Sequence, residues 1–202
     1  MQEKNVRRSR PVRSNAARTK ATREALISAG RALFVEKGYA DTATPEIVKA
    51  AGVTRGALYH HFDDKTALFL AVVRAEYEAV EAEITVRATS EPKDTIDALM
   101  LGSEAYMEAM RAPGRVRLLL LDGPAVLGRL TLDTIDKETS ADSLRLGLKA
   151  AMEAGEIKPL PLGPLTAQLS AMFERAALGV ANGDDESEHL AVLEALLTSL
   201  KP

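Results

Sequence analysis

The stretch 42–68 constrains this 202-residue chain more than any other. Thr44 reads as a helix N-cap with Pro45 at the first helical position, where a missing N–H costs nothing. Ile47, Val48 and Ala51 then share one face of a short helix, and Gly52 suits the left-handed residue that ends it. Thr54 caps a second short helix from Arg55 to His61. Ala50 and Ala51 are small enough for the two helices to approach, and Val53 plugs the gap beneath the turn. Two short helices joined by a tight glycine turn have the shape of a helix-turn-helix.

In that motif the second helix lies in the DNA major groove with its N-terminal residues at base edges. Thr54, Arg55, Gly56 and Ala57 take those places, with Tyr59 and His60 one turn on. Gly56 and Ala57 carry little side chain, so the backbone can come close to DNA. Arg55 can pair with guanine or phosphate. Tyr59 and His60 can hydrogen-bond phosphates or pack on sugar, while Leu58 and Phe62 point back into the core. Charge follows the same division. Residues 1–65 hold 13 Lys and Arg against 7 Asp and Glu, and the remainder holds 13 against 22. Eight of the cations fall in residues 1–23 beside the single acid Glu3, a composition that cannot fold alone. It is either a solvated tail or an arm for phosphate backbone.

The rest of the chain reads as helix. Apolar residues at helical spacing predict Ala21–Lys37, a long helix from Asp63 or Asp64 to about Val86, and further helices over 93–111 and 114–121. The long helix turns Leu68, Ala71, Val72, Ala75, Ala79 and either Val80 or Glu83 inward. A turn at Asp122-Gly123-Pro124 precedes a helical stretch to Ala154. Lys158–Pro164 is an extended connector, and helices over 165–182 and from Glu186 or Ser187 to Leu200 close the chain. Ser90–Pro92 is a break. Cysteine is absent, which excludes disulfides, a thiol nucleophile and zinc–thiolate sites. His60 and His61 project about 100° apart and do not converge on a metal, and His189 reads as solvent-facing. No nucleophile–base–acid set or glycine-rich phosphate loop stands out. The chain is therefore read as no enzyme, with no metal and no cofactor. No apolar run is long enough to span a bilayer, so a cytoplasmic protein without a membrane partner is expected.

The run from Thr44 to Leu68, with its turn glycine, Leu58-Tyr59-His60-His61-Phe62 and Lys65-Thr66-Ala67-Leu68, closely resembles the N-terminal signature of the tetracycline-repressor (TetR) family. Ala29, Leu33, Phe34, Lys37, Gly38 and Tyr39 fit the first helix and turn of that family. The resemblance covers about residues 20–68. Ala57 departs from it by standing where many members carry Thr or Ser, and Pro45 by standing where many carry a β-branched or charged residue. The resemblance implies an all-α fold: a basic flexible arm at 1–19, a three-helix DNA-binding domain at 20–66, and a larger helical effector-binding and dimerisation domain at 67–202. It assigns Thr44 and Lys65 to phosphates, and Thr54, Arg55, Tyr59 and His60 to the DNA surface. Lys65 also sits beside a helix N-terminus, where a cation is unfavourable unless an anion is near.

One recognition helix reads too few bases for selectivity, so a homodimer on a palindromic double-stranded operator is expected. The last two helices are the candidates for the interface. Leu165, Leu169, Met172, Ala176 and Val180 form one stripe, and Leu193, Leu196, Leu197 and Leu200 form another. The alternative is that both stripes pack within the monomer. Met100, Tyr106, Met107, Met110 and Leu118, with Leu121, Met152, Met172 and Phe173, supply an adaptable lining for an effector pocket or ordinary core. Glu104, Arg117 and Glu174 are candidate polar anchors. The function this implies is a transcriptional repressor released from its operator by an unidentified small molecule. The alternative is a regulator that activates or responds to no effector.

Overall fold

The computed structural model describes residues 15–87 and 92–202, which form ten α-helices and one π-helical turn. Most of the expected arm and most of the expected break at Ser90–Pro92 lie outside the described residues. The first helix, α1 (Asn15–Lys37), begins before the expected Ala21 and takes in residues 15–19 of that arm. Ala16 and Ala17 favour helix. The hydroxyls of Thr19 and Thr22 donate to the carbonyls of Asn15 and Arg18, so these threonines are compatible with the helix they sit in. The next helices are α2 (Thr44–Ala50), α3 (Arg55–His61) and α4 (Lys65–Arg87).

Helix α4 carries the fold because it belongs to both halves. Its buried residues are Leu68, Phe69, Val72, Val73, Glu76, Tyr77 and Val80, a wider set than the single expected stripe. One stripe serves a helix with one neighbour; α4 packs against α1 on one side and α5 (Thr95–Met110) on another. Phe34 of α1 meets Phe69 edge to face at 5.0 Å between centroids, and Tyr39 meets the same ring at 5.0 Å. Such pairs contribute about 1 kcal/mol beyond the area they bury.

The chain then runs through a π-helical turn at Arg117–Asp122 into α6 (Gly123–Leu127), α7 (Arg129–Lys137), α8 (Ser140–Glu153), α9 (Leu162–Ala181) and α10 (Glu186–Thr198). The expected turn at Asp122-Gly123-Pro124 is absent. Gly123 has helical φ, and a Cβ there would lie 2.7 Å from the Leu118 carbonyl oxygen, so this glycine serves close packing. Pro124 falls in the first turn of α6, where its missing N–H is tolerated. The stretch expected as one helix to Ala154 is three, broken at Gly128 (φ 81°) and at Glu138–Thr139. His189, expected in solvent, is half-buried with Nε2 3.1 Å from Asp184.

A buried ion cluster ties these parts together. Glu76 of α4 accepts from Arg31 Nε of α1 at 2.6 Å and from Arg115 Nε, ahead of the π-turn, at 2.9 Å. Arg115 also reaches Glu83 at 3.0 Å and the Ala109 carbonyl. Burial alone would raise the Glu76 pKa, but the two guanidiniums hold it below the usual carboxylate value. Arg115 and Glu76 are only 5% and 6% exposed, so removing one partner strands charge in a dry site. Arg115→Ala is expected to cost about 2 kcal/mol, less than a fully orphaned pair because Arg31 remains; urea denaturation measures it.

Candidate nucleic-acid interface and effector cavity

The connection from α1 to α2 is fixed before α3 is presented. Thr42 is buried and its hydroxyl donates to the Gly38 carbonyl at 2.7 Å. Tyr39 and Thr66 share a hydrogen bond at 2.8 Å. Helix α2 is capped differently from the expectation. Ala43 holds the N-cap position, Thr44 is the first helical residue, and Glu46 accepts from the Ala43 N–H at 3.1 Å. Lys37 of α1 pairs with the same Glu46, which keeps the α2 N-terminus against α1.

Lys65 is the clearest correction. Its ammonium donates to the Tyr39 and Thr42 carbonyls at 2.8 and 3.0 Å, lies 3.5 Å from that of Ala40, and stands 4.2 Å over the Tyr39 ring. An ammonium has three hydrogens, and these carbonyls use them. Lys65 therefore clamps the α1–α2 connection to α4, with its hydrogens engaged inside the protein.

Helix α3 begins as read. The Thr54 hydroxyl accepts from the Ala57 N–H at 3.1 Å, and Gly52 takes the left-handed turn at φ 64°. Leu58 and Phe62 are buried beneath. Arg55, Gly56, Tyr59 and His60 are exposed, and their i, i+1, i+4, i+5 spacing gathers them on one face. Ala57 is half-buried at its edge. The Arg55 guanidinium stands 5.5 Å over the Tyr59 ring, so the two long side chains of this face support each other. Thr44 is half-buried at the start of α2.

Behind this unit lies a cavity of about 270 Å³. Tyr77, Val80 and Ile84 of α4, Leu99, Ser103 and Tyr106 of α5, Leu119 and Leu120 of the π-turn, and Leu144, Ser170 and Phe173 wall it. Two carboxylates, Asp136 of α7 and Glu174 of α9, line it as well. Of the residues expected in a pocket, Tyr106 and Phe173 are there. Met107 and Met110 line a separate, shallower hollow of about 310 Å³ near Gly114 and Val180. Leu118 is fully buried, and Leu121 is 53% exposed. The π-turn holds more residues per turn than an α-helix, so Leu119 and Leu120 face the cavity instead of those two. Met100, Met152 and Met172 pack around the apolar cluster of Ile96, Leu148 and Leu197. Glu104 is exposed, and Arg117 binds Asp122 at 3.2 Å. Glu174 is paired with Arg129 at 2.8 Å.

Sequence reading missed Asp136 and Tyr77. Asp136 follows Leu132 by four residues, which puts an acid on the inward stripe of Leu132 and Ile135. Tyr77 sits between Val73 and Val80 in the same way. Burial raises the pKa of both Tyr77 and Tyr106, which keeps their hydroxyls protonated. Burial, then the nearby Glu174 charge, pushes Asp136 up to about 6.

The expected dimer stripes are mostly internal. Leu169, Ala176, Leu193 and Leu197 are buried within the chain, and Leu165, Met172, Val180 and Leu200 are half-buried against it. Only Leu196 stands out, 46% exposed beside Val192 at 58%. The stripe strong enough to catch the eye is the one the monomer itself needed.

A glycine-turned pair of short helices with a polar outer face, mounted on a helical body with an internal cavity, defines a helix-turn-helix transcriptional regulator. The description "Bacterial regulatory proteins, tetR family" matches residues 26–72, and "Tetracyclin repressor-like, C-terminal domain" matches residues 96–200, more than half of the chain. The chain belongs to the TetR family, whose members bind DNA and act as dimers. It is 26% identical to the Transposon Tn10 TetC protein of Escherichia coli, over 90% of this chain and 93% of that protein. A helix-turn-helix transcriptional repressor of Mycobacterium tuberculosis is 25% identical over 90% of this chain and 94% of its own. The regulator AcrR of Shigella flexneri is 36% identical, but over 49% of this chain and 46% of its own. The crystal structure of a TetR-family regulator from Pectobacterium atrosepticum superposes with a TM-score of 0.70 at 28% identity, over 93% of this chain and 95% of that one. These relatives are regulators and not enzymes. Among the described residues no helix is long and apolar enough to cross a membrane.

The raised Asp136 pKa gives a stability signature. Its folded value of about 6 lies above the unfolded carboxylate value. Between the two the folded state binds more protons, so this group's contribution to stability falls as pH rises from about 4 to about 6. Asp136→Asn should flatten that slope and raise the melting temperature near neutral pH, as thermal denaturation across that range would record.

Proposed function

We propose that the chain acts as a homodimeric repressor that places two α3 helices on an inverted-repeat operator and is released when a small molecule enters the cavity. The observation that carries this reading is the outer face of α3. Arg55, Gly56, Tyr59 and His60 are exposed together while Leu58 of the same helix and Phe62 just beyond it are buried. Thr54 and Ala57 sit at the N-terminal end of that face, where base edges are read, and Thr44 is offered to a phosphate. The exposed Arg18, Lys20 and Arg23 of α1 extend the basic surface. The cations at 4–13 add to the same charge in sequence.

The apolar faces that the monomer leaves uncovered support dimerisation through α9 and α10. Ala167 and Ala171 of α9 and Ala191, Val192, Ala195 and Leu196 of α10 are apolar and largely open to solvent, with Leu178 half-buried beside them. Small residues on both helices allow close approach in a four-helix contact between two copies.

Release works through the segment 115–122. Leu119 and Leu120 touch the cavity. Arg117 lies 3.5 Å from the Val35 carbonyl of α1, and Arg115 meets Glu76, which Arg31 of α1 also holds. An effector that favours another setting of this segment shifts α1 and α4 together, and with them the spacing of the two α3 helices. It does so only through differential affinity for the two states.

Recovery of the operator by genomic footprinting, followed by fluorescence anisotropy, tests the reading. Arg55→Ala and Tyr59→Ala should each weaken binding by about tenfold with the fold intact. A sequence-independent complex would overturn the assignment. Removing residues 1–14 should lower the salt slope of binding. The double variant Val192→Glu, Leu196→Glu should run as a monomer in light scattering; a dimer unchanged by it would move the interface elsewhere.

A further inference from the structure

We propose that the cavity takes an amphipathic organic cation, with its apolar body among Tyr77, Tyr106 and Phe173 and its positive group on the Asp136 carboxylate. The proposal rests on the reading of the cavity as the effector site and adds the charge class of what it binds.

The first observation is Asp136 itself. It lines a largely apolar wall, near Glu174 and three serines, and among the described residues no donor reaches its carboxylate. A carboxylate in such a place is costly without a counter-charge. Among the described residues, the one cation that lowers its pKa, Arg129, is already committed to other carboxylates. Arg129 is shared between Glu174 at 2.8 Å and Asp133 at 2.8 Å. The second observation comes from a different helix. Glu81 of α4 is held by the Ser143 hydroxyl at 2.6 Å, and Ser143 lines the cavity. The other oxygen of Glu81 is buried and, among the described residues, is the one buried side-chain polar atom without a hydrogen-bond partner. Native proteins leave few such atoms, and each calls for an explanation.

Asp136 asks for a counter-charge and the Glu81 oxygen behind Ser143 asks for a donor, and the lining offers no cation: no Lys, Arg or His is among the residues that wall the cavity. An anionic effector would meet carboxylates with no free partner. An ammonium would meet Asp136 and the negative potential of Glu174 and Glu81, with aromatic faces around it that also favour cations. The groups facing Asp136 are Glu174 from α9, Arg129 and Asp133 from α7, Glu81 and Tyr77 from α4, and Tyr106 from α5. Helix α6 carries no ionisable side chain, and the Asp142 and Arg145 charges of α8 pair with each other at 2.7 Å.

Three probes of similar shape separate the possibilities by calorimetry on the full chain. Benzyltrimethylammonium carries a permanent charge, neopentylbenzene replaces its nitrogen by carbon, and phenylacetate is an anion. The ammonium should bind about tenfold or more tighter than the neutral probe near pH 7.5. Asp136→Asn should remove most of that advantage and leave the neutral probe unchanged. Glu81→Gln should weaken the ammonium too, which keeps a test available if the first variant does not fold. Because burial pushes the Asp136 pKa up to about 6, lowering the pH to about 5 should weaken the ammonium by about tenfold in the native chain and not in Asp136→Asn. Equal or tighter binding of the neutral or anionic probe would overturn the cation proposal while leaving the cavity as an effector site. No binding of any probe at millimolar concentration would remove the effector reading, and the proposal with it.

Discussion

Glu76 is a carboxylate set where almost no water reaches, and its two arginine partners come from opposite directions along the chain. Arg31 brings α1, the helix that supports the helix-turn-helix. Arg115 brings the loop that leads into the π-turn and the cavity wall. A buried charge of this kind is tolerated only with its partners in place, so the position of α4 relative to both is fixed by one group. The aromatic contact of Phe34, Tyr39 and Phe69 adds packing at the same junction. Directional contacts decide the alignment, and the apolar contacts supply most of the cohesion.

The cavity depends on departures from regular helix. Had the stretch after Pro124 remained one helix, Asp136 and Ser143, seven residues apart, would share one face of a single rod and supply one wall of a hollow instead of two. Breaks at Gly128 and near Thr139 let α7 and α8 close around it. The π-turn does the same for Leu119 and Leu120. Such widened turns recur at functional sites, and here the turn changes which leucines are available to a ligand.

The helix-turn-helix was legible because its determinants are local. Thr54, Gly52, Leu58 and Phe62 each act within a turn of their own position, so spacing alone places them. Long-range partners leave no such trace. Lys65 has the spacing of a phosphate contact, yet carbonyls more than twenty residues away take its hydrogens. The leucine stripe of α10 was visible as apolar, but nothing in its periodicity distinguishes a neighbour in the same chain from one in a second copy. Asp136 was passed over because an acid in a polar-rich segment looks like surface until the fold turns its face inward. The family resemblance could supply an all-α fold with a three-helix DNA-binding domain, but not which side chains meet.

The energy scale of the proposed switch follows from these contacts. Coupling between two sites in a protein is about 1–3 kcal/mol, close to what a charged hydrogen bond contributes. Loosening one arm of the Glu76 cluster is therefore enough to match the coupling an effector must supply, with no large refolding. The cavity reaches that cluster through a short segment, since Leu119 and Leu120 follow Arg115 within the same loop and turn. A ligand that alters the seating of these leucines acts on Arg115 and Arg117 through a few covalent bonds. The apolar core around them favours discrete packings over gradual deformation, so in the proposed switch α1 and α4 would move between settings. The acid-rich body adds a separate constraint. Residues 66–202 carry 22 acids against 13 bases, so this part of the molecule is repelled by phosphate, and the net positive charge lies in residues 1–65.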